Sequence, residues 1–199
     1  MEGVTRKEES LDEVTASFSL SSFGPSKSQV LFLLPPPVCH TIFPSMAKPF
    51  VIEEYVRWSD VDFAGIIFYG SYVRFFELAE TELFRAAGLP FGTVFDQYDV
   101  FLPRVQVHTE FHSPPRLDDH LAVAAYIGRV GRTSMTIEFE VVRRPDGTHC
   151  ADGHMVLVCV DRKALKPCPI PQGCITQLAP FTQTRAEARR QLGIAQGVA

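Results

Sequence analysis

Tryptophan occurs once in these 199 residues, and no apolar run approaches the ~20 residues that a bilayer span needs. The longest candidate, Val30-Leu31-Phe32-Leu33-Leu34, ends at three consecutive prolines. Positive charge is scarce: 19 Lys+Arg against 23 Asp+Glu leave a formal net charge of -4. The chain therefore lacks the basic stripe by which nucleic-acid binders meet phosphate, although a small basic pocket for an anionic ligand remains compatible with it. The five cysteines (Cys39, Cys150, Cys159, Cys168, Cys174) never form a CxxC pair, which removes the usual thiolate zinc site. Their odd number, in a chain too long to need disulfide staples, points to reduced thiols in a cytoplasmic protein. His108, His112 and His120 have no ligand spacing on a helix face, and His149 and His154 flank a strand entry. No metal and no cofactor is expected. What is present, 46% hydrophobic and 21% charged residues, is the composition of a globular chain.

Composition shifts near Ser45. Residues 1–45 hold eight of the twelve serines and five of the fifteen prolines. They show no sustained apolar periodicity, and Pro35-Pro36-Pro37 forbids a helix or central strand there. Glu2, Glu8, Glu9, Asp12 and Glu13 are wrong for a transit peptide. The segment is expected to be disordered, or a non-native extension ahead of an initiator at Met46. A folded domain is expected over 46–170, with a C-terminal tail over 171–199.

Within that domain the periodicities change in order. Phe50 to Ser59 is β-rich and reads as a first strand. From Ser71 to Ala87, apolar Tyr72, Phe75, Phe76, Ala79, Leu83, Ala86 and Ala87 recur at steps of three and four, predicting an amphipathic helix. Gly70 or Ser71 starts it, Gly88 and Pro90 stop it, and Glu77, Glu80 and Glu82 fall on its more polar side. Alternation then predicts strands over 100–113, 121–127, 135–141 and 155–160. One helix over such a sheet is an α+β layering, and its two unpaired edges call for a dimer.

The richest constellation is Asp60-x-Asp62-x-x-Gly65 followed by Tyr69-Gly70-Ser71. A carboxylate on a loop beside a helix N-terminus can attack a carbonyl or activate water. The free amides of the helix end can hold the oxyanion that forms. Gly65 and Gly70 allow close approach of the backbone. The same residues are also ordinary turn formers.

Arg57 through Tyr72 resembles the signature of hotdog-fold acyl-CoA thioesterases, in the branch of 4-hydroxybenzoyl-CoA thioesterase and the YbgC-like enzymes. Phe75-Phe76-Glu77, Ser113 through Asp119, Val158 through Asp161 and Lys166-Pro167 continue the resemblance, over about residues 50–170. It implies a long central helix wrapped by a curved antiparallel sheet. It also implies an acyl-CoA substrate, and active sites at the interface of a dimer that often pairs into a tetramer. Asp62 matches the catalytic aspartate, and the backbone around Tyr69, Gly70 and Ser71 occupies the oxyanion position. Gly65 permits the tight loop, and Asp60 orders it. Many YbgC-like members have His where this chain has Tyr69. Glu77 is the helix carboxylate that some hotdog thioesterases use instead. Arg129, Arg132, Thr133 and Ser134 stand at the turn where relatives contact the coenzyme, with Lys163 and Lys166 as further cations. A hydratase or dehydratase of acyl thioesters, or a non-catalytic acyl-thioester-binding module, are the alternatives on the same fold.

Overall fold

An apolar face repeating every three to four residues folds as α1 (Ser71–Ala86), with Gly70 as N-cap. It ends where Gly88 takes φ +74°, a conformation that costs a glycine nothing. The computed structural model describes residues 47–144 and 146–194. The expectation for residues 1–45, with Cys39, lies outside them.

Five antiparallel strands form the main sheet: β1 (Phe50–Tyr55), β3 (Arg104–Phe111), β4 (His120–Val130), β5 (Ser134–Arg144) and β6 (Thr148–Val158). Their order is β1-β4-β5-β6-β3, while β2 (Val100–Phe101) pairs with β7 (Val160–Asp161) in a small second sheet. The long helix lies against one face of the large sheet. Phe76 of α1 stacks on Phe139 of β5 at 4.4 Å between ring centres. A Cβ on Gly153 of β6 would come within 2.9 Å of the Phe76 ring, so glycine is what lets helix and sheet approach there. Tyr72, Phe75, Phe76, Leu83, Val123, Ile137 and Phe139 are part of the dry core between the two layers. This is the α+β hotdog arrangement.

Several local expectations are corrected. The stretch 100–113 is not one strand: it divides into β2 and β3 around Leu102-Pro103, where proline interrupts the ladder. Phe91–Tyr98 forms a further helix, α2, closed by Asp99 in the left-handed region at φ 51°. Glu80 is not on a solvated side but fully buried, held by Arg104 at 2.7 Å. The region past 170, read as a tail, folds as α3 (Gln172–Leu178), a 3₁₀ turn (Ala179–Phe181) and α4 (Arg185–Leu192).

Helix α4 lies on the face of the sheet opposite α1. Glu138, Glu140 and Asp152 point that way because strand side chains alternate, and their neighbours Phe139 and Gly153 face α1. Arg185 meets Glu138 and Asp152 at 2.5 and 3.0 Å, and Arg189 meets Glu140 and Asp152 at 2.8 and 2.9 Å. The two arginines are four residues apart, so both reach down from one side of the helix. Among the described residues no helix is long and apolar enough to cross a membrane.

Candidate active site

The loop between β1 and α1 is shaped by Asp60. This carboxylate is 2% exposed and lies at the end of a 3₁₀ turn, Trp58–Asp60. Its Oδ2 accepts the Arg57 amide at 2.8 Å, and Arg74 of α1 donates Nε to Oδ1 at 2.9 Å and a terminal nitrogen to Oδ2 at 2.5 Å. The Asp60 carbonyl in turn accepts the Phe68 amide at 2.8 Å and the Ser71 hydroxyl at 3.1 Å. Asp60 is thus fully occupied in fastening the loop to the start of α1.

Asp62 is free by comparison. The amides of Ala64 and Gly65 donate to its Oδ1 and its carbonyl at 2.8 and 3.0 Å, a tight turn that needs Gly65 at φ +72°. Its Oδ2 has no partner among the described residues. Asp62 and Tyr69 open onto one pocket of about 400 Å³, lined also by Ile66, Ile67, Tyr72, Phe111, His112, Ser113 and Pro114. The lining is largely apolar and aromatic, with Tyr72 and Phe111 in ring contact at 5.0 Å. Burial, with Cys150 nearby, pushes the Tyr72 hydroxyl far above the usual tyrosine range, so it stays protonated.

At the helix start, the amides of Tyr69 and Gly70 meet no acceptor among the described residues. The Ser71 amide does, donating to the Phe68 carbonyl at 2.9 Å. The Ser71 N–H closes a turn, leaving Tyr69 and Gly70 as the unoccupied donors among the three. Glu77 is exposed on α1, apart from the pocket-lining residues.

Arg129, Arg132, Thr133 and Ser134 are not brought to this pocket within one chain. They sit on the β4–β5 hairpin, whose end aligns through Met135 and Leu157 with Arg104, the start of β3. The pocket is at the other end of β3, at Phe111, roughly 23 Å along the strand at ~3.3 Å per residue. Neither Arg129 nor Arg132 has an ion-pair partner among the described residues, and β3 is an edge strand exposing Val105, Val107 and Phe111. Cys159 is a packing residue: burial pushes its thiol up to about 12, with Cys168 Sγ 3.6 Å away.

One pocket residue escaped the sequence reading. His112 follows β3, lines the pocket and places Nε2 2.6 Å from Asp152 Oδ1. Forty residues and a strand crossing separate the pair, so spacing carried no trace of it.

Known proteins resemble this chain in sequence and in fold. A family profile described as the thioesterase-like superfamily matches residues 56–178. The chain is 28% identical over 122 residues to the acyl-CoA thioester hydrolase YbgC of Escherichia coli O6:H1, covering 61% of this chain and 90% of that one. It is 27% identical over 127 residues to a 1,4-dihydroxy-2-naphthoyl-CoA hydrolase of Synechococcus sp., covering 61% and 84%. A solved gentisyl-coenzyme A thioesterase superposes with a TM-score of 0.57 at 25% identity, over 64% of this chain and 98% of that one.

Proposed function

The chain belongs to the thioesterase-like superfamily, and on that footing we propose that it hydrolyses an acyl-CoA thioester to a free acid and coenzyme A. The observation that carries the reading is the largely apolar pocket lined by both Asp62, whose second oxygen is unoccupied, and Tyr69, with the unoccupied amides of Tyr69 and Gly70 at the helix start beside it. Asp62 attacks the thioester carbonyl or deprotonates the water that does. Either route places negative charge on the carbonyl oxygen, where the Tyr69 and Gly70 amides would stabilise it without a charged side chain. Removing one such donor typically costs ~10²–10³ in rate.

The acyl group we propose is aromatic. Tyr69, Tyr72 and Phe111 offer ring faces and edges to a flat group, and two of the relatives above are named for aryl-CoA substrates.

The coenzyme's phosphates need cations that the pocket itself does not contain. Pairing β3 antiparallel with β3 of a second copy would set the Arg104 end of one beside the Phe111 end of the other. The second copy's Arg129, Arg132, Thr133 and Ser134 would then approach the Asp62 pocket. The assembly is accordingly a dimer or a multiple of one.

A thiol-release assay with acetyl-, benzoyl- and palmitoyl-CoA tests the reading. Turnover fastest on benzoyl-CoA supports it. Reversible hydration of an enoyl-CoA without thiol release would make the protein a hydratase, and binding without either reaction would make it a binding module.

A further inference from the structure

The sheet face under α4 carries two imidazole–carboxylate pairs side by side. His112 Nε2 lies 2.6 Å from Asp152 Oδ1, and His149 Nε2 lies 2.7 Å from Glu140 Oε2. The two rings stack at 4.6 Å, and Glu140 and Asp152 are cross-strand partners, both essentially buried. Arg185 and Arg189 complete the cluster, and Tyr126 and Glu138 border it.

His112, His149 and Asp152 hold ligand atoms within 4.8 Å of one another, the spacing of a cation site. Their commitments argue otherwise. Both Nε2 atoms are spent on carboxylates, and two guanidiniums already stand within 3.0 Å of Asp152. A metal ion would have to displace both positive charges. What distinguishes His112 is its position, because it alone of this cluster also lines the Asp62 pocket, and its side chain is 39% exposed.

We propose that His112 is the general base of this site, taking the proton of the water that hydrolyses an acyl group carried on Asp62. This rests on the thioesterase reading and deepens it, since it assigns Asp62 the nucleophile's part. Asp152 is held ionised: burial alone would raise its pKa, but the His112 hydrogen bond and the charges of Arg185 and Arg189 bring it below the ordinary value. An ionised carboxylate only accepts, so Nε2 carries the hydrogen, and in the neutral ring Nδ1 keeps its lone pair. The Nδ1 atom has no partner among the described residues. The titratable and charged groups clustered around His112 are Asp152, His149, Arg185, Arg189 and Glu140, and His112 and Asp62 line the same pocket.

The steps balance. An Asp62 oxygen bonds to the acyl carbon, the C–S bond breaks, and coenzyme A leaves as the thiolate. Water then attacks the same carbon as His112 Nδ1 takes its proton, and the bond to Asp62 breaks with the electron pair returning to the carboxylate. The imidazolium gives its proton to solvent or thiolate, leaving acid and coenzyme A. Asp152 is a positioning residue in this scheme, and α4 holds it in place.

The test compares wild type, His112→Ala and His112→Gln on whichever of acetyl-, benzoyl- and palmitoyl-CoA the wild type hydrolyses. Glutamine can still donate to Asp152, so His112→Gln preserves the network while removing the base. Both variants should keep a rapid first release of coenzyme A and lose at least ~10²-fold in steady turnover, as expected for a lost general base. The acyl group should accumulate on the Asp62 peptide by mass spectrometry, and added imidazole should restore turnover to His112→Ala. Near-normal steady turnover in a folded variant would overturn the inference and leave the thioesterase reading intact. So would lost turnover with no trapped acyl group and no rescue. Wild type inactive on the whole panel would overturn both.

Discussion

Arg74 grips Asp60 through both oxygens, at 2.9 and 2.5 Å, across the junction between loop and helix. The pair joins the segment carrying Asp62 to the first turns of α1, and so helps to hold Asp62 and the free Tyr69 and Gly70 amides in place. Asp60→Asn leaves Arg74 facing a neutral partner at a site 2% exposed. Because Arg74 is about one-third exposed, water can take up part of the lost contact, and the cost should be roughly 1.5–3 kcal/mol, the range for a hydrogen bond to a charged group. Urea unfolding should register that loss, and kcat should fall less than in Asp62→Asn.

Helix α4 offers a second stability test. Its only buried residue is Ala188, so ion pairs rather than apolar area attach it. Arg189→Met leaves Glu140 and Asp152 each short of a partner and should cost about 3 kcal/mol or more. An unchanged urea midpoint would mean that α4 is not anchored there.

Two buried carboxyls should shape opposite limbs of the stability profile. Glu80 has its pKa raised by burial, more than Arg104 lowers it. Its contribution is present below the ordinary carboxylate range and lost as pH rises through the folded value. Asp152 is lowered, because its partners outweigh burial, so its contribution is present above the ordinary range and lost as pH falls through the folded value. Glu80→Gln should flatten the rise-in-pH limb and Asp152→Asn the acid limb, read by urea unfolding at a series of pH values.

These contrasts mark what the sequence could carry. The α1 helix was legible because seven apolar residues keep one period, and β4 and β5 because theirs is two. Helix α4 was not: Arg185, Arg189 and Arg190 show no apolar stripe, and its one local sign was the capping box Thr184-x-x-Glu187. Helix α2 was hidden in a short Phe91, Val94, Phe95 cluster between Pro90 and the next strand. At the site, Asp62, Gly65 and Tyr69 to Ser71 are contiguous and readable, whereas His112 and Asp152 meet only through strand pairing.

Subunit mixing tests where the coenzyme cations come from. Arg132→Ala should raise KM by more than it lowers kcat, since a contact remote from the reacting carbon is lost. In a hybrid dimer of Arg132→Ala with Asp62→Asn, one site receives both native residues and the other neither. At low substrate the mixture should therefore exceed either parent. No gain, in a mixture proven to exchange subunits, would place Arg132 and Asp62 in the same chain's site or in none.

The most direct measurement is kcat for Asp62→Asn beside wild type and Glu77→Gln, by thiol release from benzoyl-CoA. Asparagine keeps the shape of Asp62 but can neither attack the carbonyl nor take a proton. A fall of at least ~10²-fold in kcat, with KM and Glu77→Gln nearly unchanged, is the predicted result. Near-full turnover by Asp62→Asn together with a dead Glu77→Gln would contradict it and move the chemistry to the helix carboxylate.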